Sequence, residues 1–170
     1  MVKIVRPRIY IAHSLYLREE VAENVIPKMK LYFDVENPFE HRLALFKGQT
    51  EEEIRANREW VRPSWVVKHD LRQIEKCDGM IVLNKGSASY GSVIEASYCF
   101  FELGIPVVFV VAEKYQHHPW LNFFGIHVAK DIEEGIMAMR TFFDMSEDFR
   151  EENLYAKIDK ETKKDESKGT

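Results

Sequence analysis

A chain of 170 residues, 45% hydrophobic and 31% charged, has the size of one globular domain with its own core. Its net charge of −4 excludes the basic footprint of a protein that holds polymeric nucleic acid, and no apolar run approaches the ~20 residues that cross a bilayer. The opening Met1-Val2-Lys3-Ile4-Val5-Arg6-Pro7 lacks the apolar centre of a secretory signal, so a cytoplasmic protein without membrane contact is expected.

Arg8-Ile9-Tyr10-Ile11-Ala12 is a β-branched and aromatic run that reads as a strand, closed by His13-Ser14, where a polar residue can open a helix. From Tyr16 to Tyr32, Leu17, Val21, Val25, Ile26 and Met29 recur at helical spacing, with Pro27 expected to kink or split the helix. Phe33-Asp34-Val35 reads as a short second strand and Asn37-Pro38 as a turn. From Thr50 to Cys77 the pattern is helical with a break at Pro63: Thr50-Glu51-Glu52-Glu53 resembles a capped start, and Trp65 to Ile74 rebuilds a helix after the proline. Gly79-Met80-Ile81-Val82-Leu83-Asn84, apolar at nearly every position, suits the buried centre of a parallel sheet.

Gly86 to Gly91 is a loop of small residues, and Ser92 to Leu103 a helix that Gly104 closes and Pro106 stops. Ile105 to Val111 is the most strand-like run in the chain. His117, His118 and Pro119 mark a loop, Gly125 to Ala129 a last strand, and Asp131 to Phe143 a last amphipathic helix. This alternation predicts an α/β domain, a doubly wound, flavodoxin-like parallel sheet of about five strands with helices on both faces. One such domain accounts for residues 1–150, and residues 151–170 form a charged tail expected to be disordered.

Two carboxylates stand out on this frame. Asp70 lies on the helix leading into the third strand and Glu95 on the helix leaving it, so both can flank one small molecule in the crevice of an open sheet. Each has a plainer reading: Glu95 as a first-turn glutamate favoured by the helix dipole, Asp70 as a solvated helix residue or as a partner to Lys68 or Arg72. Asp78, just before a buried strand, reads as a cap or turn former. Cys77 and Cys99 stand singly in apolar stretches, so buried thiols are expected rather than a disulfide or a zinc site. His13, His69, His117 and His118 form no ligand set, and no metal is expected. Trp60, Trp65 and Trp120 read as packing residues, with stacking of one on a base the alternative, while Arg55, Arg58 and Arg62 read as a solvated helix face, with phosphate contact the alternative.

Tyr10 in the first strand, Asp70 in an aspartate-leucine pair before the third, and the helix start Gly91-Ser92-Val93-Ile94-Glu95 together resemble the nucleoside 2-deoxyribosyltransferase family, which includes the 2′-deoxynucleoside 5′-phosphate N-hydrolases. The resemblance runs from Arg8 to Ala129. It implies a double displacement at an anomeric carbon, in which Glu95 attacks C1′ and forms a glycosyl ester as the base departs. The carboxylate also stabilises the oxocarbenium-like transition state. Asp70 would hydrogen-bond the base and protonate a ring nitrogen. Tyr10 matches the tyrosine that orients the glutamate, and Gly91 lets the chain approach the sugar. Two carboxylates suffice for this chemistry, so no cofactor is expected.

The resemblance leaves two branches open. In the transferases a second carboxylate near the small-residue loop reads the incoming base, and Ser89 stands at that place here. In the hydrolases, serines at the positions of Ser14 and Ser89 bind a 5′-phosphate. Trp120-Leu121-Asn122 resembles the transferase segment that sends an asparagine into the neighbouring subunit, which makes Asn122 a substrate-binding candidate in trans and a homo-oligomer the expected state. The implied substrates are a nucleoside or nucleotide and, for transfer, a free nucleobase. A nucleotide-sensing module on the same fold is the alternative outside enzymes.

Overall fold

The computed structural model describes residues 6–40, 63–86 and 89–144. The capped start at Thr50, Arg55, Arg58, Trp60, Arg62 and the 151–170 tail lie outside the described residues. Two compact units are distinguished, Met1–Met139 and Arg140–Thr170. Of the second, residues 140–144 are described, a helical turn in which Arg140 Nε lies 3.4 Å from an Asp144 oxygen.

The first unit is built on five parallel strands: β1 Arg8–His13, β2 Asp34–Glu36, β3 Gly79–Asn84, β4 Val107–Val111 and β5 His127–Ala129. Their order is β2-β1-β3-β4-β5. Ile9 faces Val35 on one side and Gly79 on the other, Ile81 faces Val108, and Phe109 faces Val128. Every residue of Val107-Val108-Phe109-Val110-Val111 is buried. A strand covered on both faces has no use for polar alternation, which is why the run is continuously apolar.

The helices divide between the two faces. α1 covers residues 18–29, α2 is Pro63–Ile74, α3 covers 90–103, α4 is Pro119–Phe124 and α5 opens at residue 132. Ile74 of α2, Ala96 and Cys99 of α3 and Phe124 of α4 share one buried cluster with Tyr10, Ala12, Met80, Val82 and Phe109. On the other face Met139 of α5 packs so closely on Gly79 that an added Cβ would lie 3.2 Å from its sulfur. There a Lys28–Glu133 ion pair joins α1 to α5.

Asp78, read as a cap or turn former, instead holds a distant stretch of backbone. Its Oδ2 accepts the backbone N–H of Arg8 at 2.7 Å, and its own N–H donates to the Arg8 carbonyl at 2.7 Å. These bonds pin the start of β1 to the approach to β3. Gly104, with φ +63°, closes α3 in the left-handed conformation expected of a helix-ending glycine.

Three elements depart from the sequence reading. Pro27 does not split α1: the helix widens to a π turn over Val21–Val25 and resumes α geometry at Ile26–Met29. A proline has no N–H for the carbonyl four residues back and its ring crowds it, and the wider turn accommodates both. α3 starts at Tyr90, two residues before the predicted start, and ends in a second π turn, Cys99–Leu103. The stretch read as loop after His118 contains α4, with Pro119 at its first position, where a missing N–H costs nothing.

Candidate active site

The strand order creates the site. From β1 the chain moves outward to β2, then crosses back so that β3 lies on the other side of β1. Connections leaving β1 and β3 therefore diverge, and a crevice opens beyond their carboxyl ends, where ligands bind in sheets of this kind. A cleft of about 370 Å³ lies there, within the range of small-molecule sites.

Four segments form its walls. His13 and Leu15 come from the end of β1, and Pro38 and Phe39 from the turn after β2. Val66, Val67, Asp70 and Leu71 come from α2, at the three- and four-residue spacing that places side chains on one helical stripe. Gly91, Ile94, Glu95 and Tyr98 repeat the pattern on α3, and Ser89 caps that helix, its Oγ accepting the Ser92 N–H at 3.5 Å. Asp70, Glu95, Ser89 and Gly91 thus line one cavity.

The structure bears on two of the plainer readings, Glu95 as a first-turn residue and Asp70 as a solvated one. Because α3 begins at Tyr90, Glu95 lies beyond the first turn, which holds no acidic residue, and the helix-end field fades within that turn. Asp70 is only 7% exposed, so it is no solvated surface residue. Its Oδ1 lies 3.6 Å from Nδ1 of His69.

Tyr10 is fully buried in the cluster that holds Ile74 and Ala96, beneath the two helices that carry Asp70 and Glu95, and does not itself line the cleft. Ser14 is also outside the lining, although both its chain neighbours belong to it. Its carbonyl accepts from Leu17 N–H at 3.0 Å. Asn122 lies away from the cleft on α4, exposed, with its Nδ2 donating to the carbonyls of Gln116 at 2.8 Å and His118 at 3.0 Å. It belongs to the helix Pro119–Phe124. Trp120, 62% exposed, packs its ring on Phe124 in a stacked contact at 5.6 Å.

Tyr98, Phe39 and His13 also line the cleft, a place the sequence reading did not give them. Tyr98 donates its hydroxyl to Glu75 at 2.9 Å, tying α3 to α2, and that hydrogen bond to a carboxylate holds the phenol above its ordinary range. Phe39 packs against the His13 ring at 4.7 Å. His13 is 5% exposed, and burial lowers its pKa below the usual histidine value. Its signal was available: a polar residue ending an apolar strand at the crevice end of a parallel sheet.

Cys77 and Cys99 are buried free thiols, both pushed up to about 12, first of all by burial. Among the described residues, no group of three His, Cys, Asp or Glu side chains is placed to hold a metal ion, and no helix is long and apolar enough to cross a membrane.

No family model and no curated protein sequence matches the chain. Solved structures share its fold. A conserved protein from Enterococcus faecalis V583 superposes with a TM-score of 0.59 at 14% identity, covering 81% of this chain and 99% of that one. A 2-deoxyribosyltransferase from Bacillus psychrosaccharolyticus gives 0.54 at 18% identity, covering 75% and 88%. A CMP N-glycosidase from Clostridium botulinum gives 0.51 at 16% identity, covering 79% and 98%. The α/β fold predicted from the sequence is therefore the fold of this chain and of these neighbours.

Proposed function

We propose that this chain cleaves the N-glycosidic bond of a 2′-deoxynucleoside or its monophosphate and transfers the sugar to another nucleobase, as a member of the nucleoside 2-deoxyribosyltransferase family. The observation that carries the reading is the joint presence of Asp70 and Glu95 on one cleft at the β1/β3 crevice. Glu95 Oε attacks C1′, the bond to the base nitrogen breaks, and Asp70 supplies the proton that the departing base takes up. A second base then displaces the Glu95 carboxylate and returns the proton. Val66, Val67, Leu71 and Phe39 give the base an apolar wall, and Gly91 leaves room for the sugar beside α3. That a 2-deoxyribosyltransferase and a CMP N-glycosidase share the fold supports bond cleavage of this class.

Hydrolysis is the second reading, with water in place of the acceptor base. Ser89, at the place of a transferase carboxylate, and the CMP N-glycosidase neighbour favour it. Incubation with a deoxynucleoside and a different free base separates the two: exchanged nucleoside supports transfer, whereas free deoxyribose or its phosphate without exchange rejects it. A protein that binds nucleotides without turning them over would show neither.

The same reading makes the enzyme a cytoplasmic homo-oligomer. Asn122 stands beside the exposed Trp120 and Phe123, so a second copy seated on that surface is what would carry it to a neighbouring cleft. Light scattering on the purified protein tests this, and a monomer at working concentration would remove Asn122 from the site.

A further inference from the structure

His13 faces two acceptors at once. Its Nδ1 lies 3.0 Å from the Ser14 carbonyl oxygen and its Nε2 3.2 Å from Asn37 Oδ1. The Asn37 amide cannot be turned to relieve this, because the same Oδ1 accepts the Phe39 N–H at 3.1 Å. A neutral imidazole has one N–H and satisfies one of the two contacts, whereas an imidazolium satisfies both. Against the charged form stands burial, which holds the resting ring below the usual histidine range. The ring is thus arranged to take a proton as soon as something offsets its desolvation.

A ligand seated in the cleft can supply that offset. Among its described lining residues the titratable groups with side chains able to carry charge near neutrality are Asp70 on α2, Glu95 on α3 and His13, and His13 alone can become a cation. Beside two acids, a neutral nucleoside gives the ring no new reason to ionise. A phosphate monoester, close to a dianion at neutral pH, does.

We propose that His13 is the specificity-determining cation of this cleft: it takes up a proton when a nucleoside 5′-monophosphate binds, and so selects the monophosphate over the nucleoside. Both ring nitrogens keep their partners, so recognition is by charge rather than by a hydrogen bond to phosphate. The inference rests on the cleft being the nucleoside site proposed above, and its test separates the two.

The experiment uses the full chain carrying Glu95→Gln, so that ligands stay intact. Binding of 2′-deoxycytidine and of its 5′-monophosphate is followed by calorimetry at pH 7.5 in two buffers of different ionisation enthalpy, with imidazole nitrogen NMR on the same samples. Net proton uptake is expected with the monophosphate and not with the nucleoside, with the His13 nitrogens moving to imidazolium values. Adding His13→Asn should abolish the uptake and weaken the monophosphate about tenfold more than it weakens the nucleoside, the effect of one pKa unit of linkage. Nucleoside binding by the variant, together with its urea unfolding curve, reports that it is folded. Nucleoside binding without extra uptake for the monophosphate, or uptake that survives His13→Asn, overturns the proposal and leaves the nucleoside reading standing. If neither compound binds, both fall.

Discussion

Asp70 and Glu95 reach the same cavity from two different helices, one entering and one leaving the central strand β3. Glu95→Gln removes the proposed nucleophile while nearly preserving shape. Turnover of a deoxynucleoside is expected to fall on the order of 10³-fold or more, with ligand affinity retained. Initial rates by chromatography check this. A Gln variant that cleaves at the parent rate would remove Glu95 from the chemistry.

Asp70→Asn keeps the hydrogen-bonding outline and deletes the proton donor. A fall in rate of about 10²–10⁴-fold is expected for natural bases. With a p-nitrophenyl deoxyriboside, whose leaving group departs as a stable anion, the loss should be much smaller. An equal loss on both substrates would assign Asp70 to positioning alone.

Gly91 lines the cleft, yet among the described residues a Cβ built there meets only the Ser89 hydroxyl, at an ordinary 3.7 Å. The packing of the chain itself does not require glycine at this place. Gly91→Ala should leave stability unchanged or raise it by up to about 1 kcal/mol, measured by urea unfolding, and should raise KM as the methyl intrudes on the sugar. Unchanged kinetics would place the sugar elsewhere. Gly125 is the contrast: an added Cβ would lie 2.8 Å from the Leu121 carbonyl and 2.9 Å from the Phe109 ring, so substitution there should cost folding.

Both thiols are pushed up to about 12 by burial. The sign follows from which state releases protons first. Between about pH 9 and pH 12 the unfolded chain loses its thiol protons while the folded chain keeps them, so stability present below pH 9 declines through that window. Denaturation curves from pH 8 to 10 should show the decline, and Cys77→Ala with Cys99→Ala should flatten it. In native protein neither thiol should react promptly with a disulfide reagent at pH 8, and both should in urea.

Much of the frame was legible because burial writes itself plainly into parallel strands. Gly79–Asn84 and Val107–Val111 are apolar throughout, and α2 begins at the proline that interrupts the pattern. Asp70 and Glu95 could be paired because chain order fixes which helix flanks which strand end. What escaped depended on geometry without a local signature. The early start of α3 turns on the Ser89 cap, and the short α4 hides among His117, His118 and Pro119, residues that equally suit a loop. Ser14 and His13 are adjacent, but the structure turns the second into the cleft wall and leaves the first outside it. The role of His13 depends on Asn37, 24 positions away, a pairing that no local pattern announces.

The outermost strands, β2 and β5, are three residues each, and β2 carries Asp34 and Glu36, with Asp34 held by Arg8 at 2.8 Å. Rims so brief, one of them acidic, offer little template for strand addition from another molecule. Concentrated solutions of this protein should accordingly resist growth into cross-β fibrils, even though its central strands have the composition that such fibrils favour.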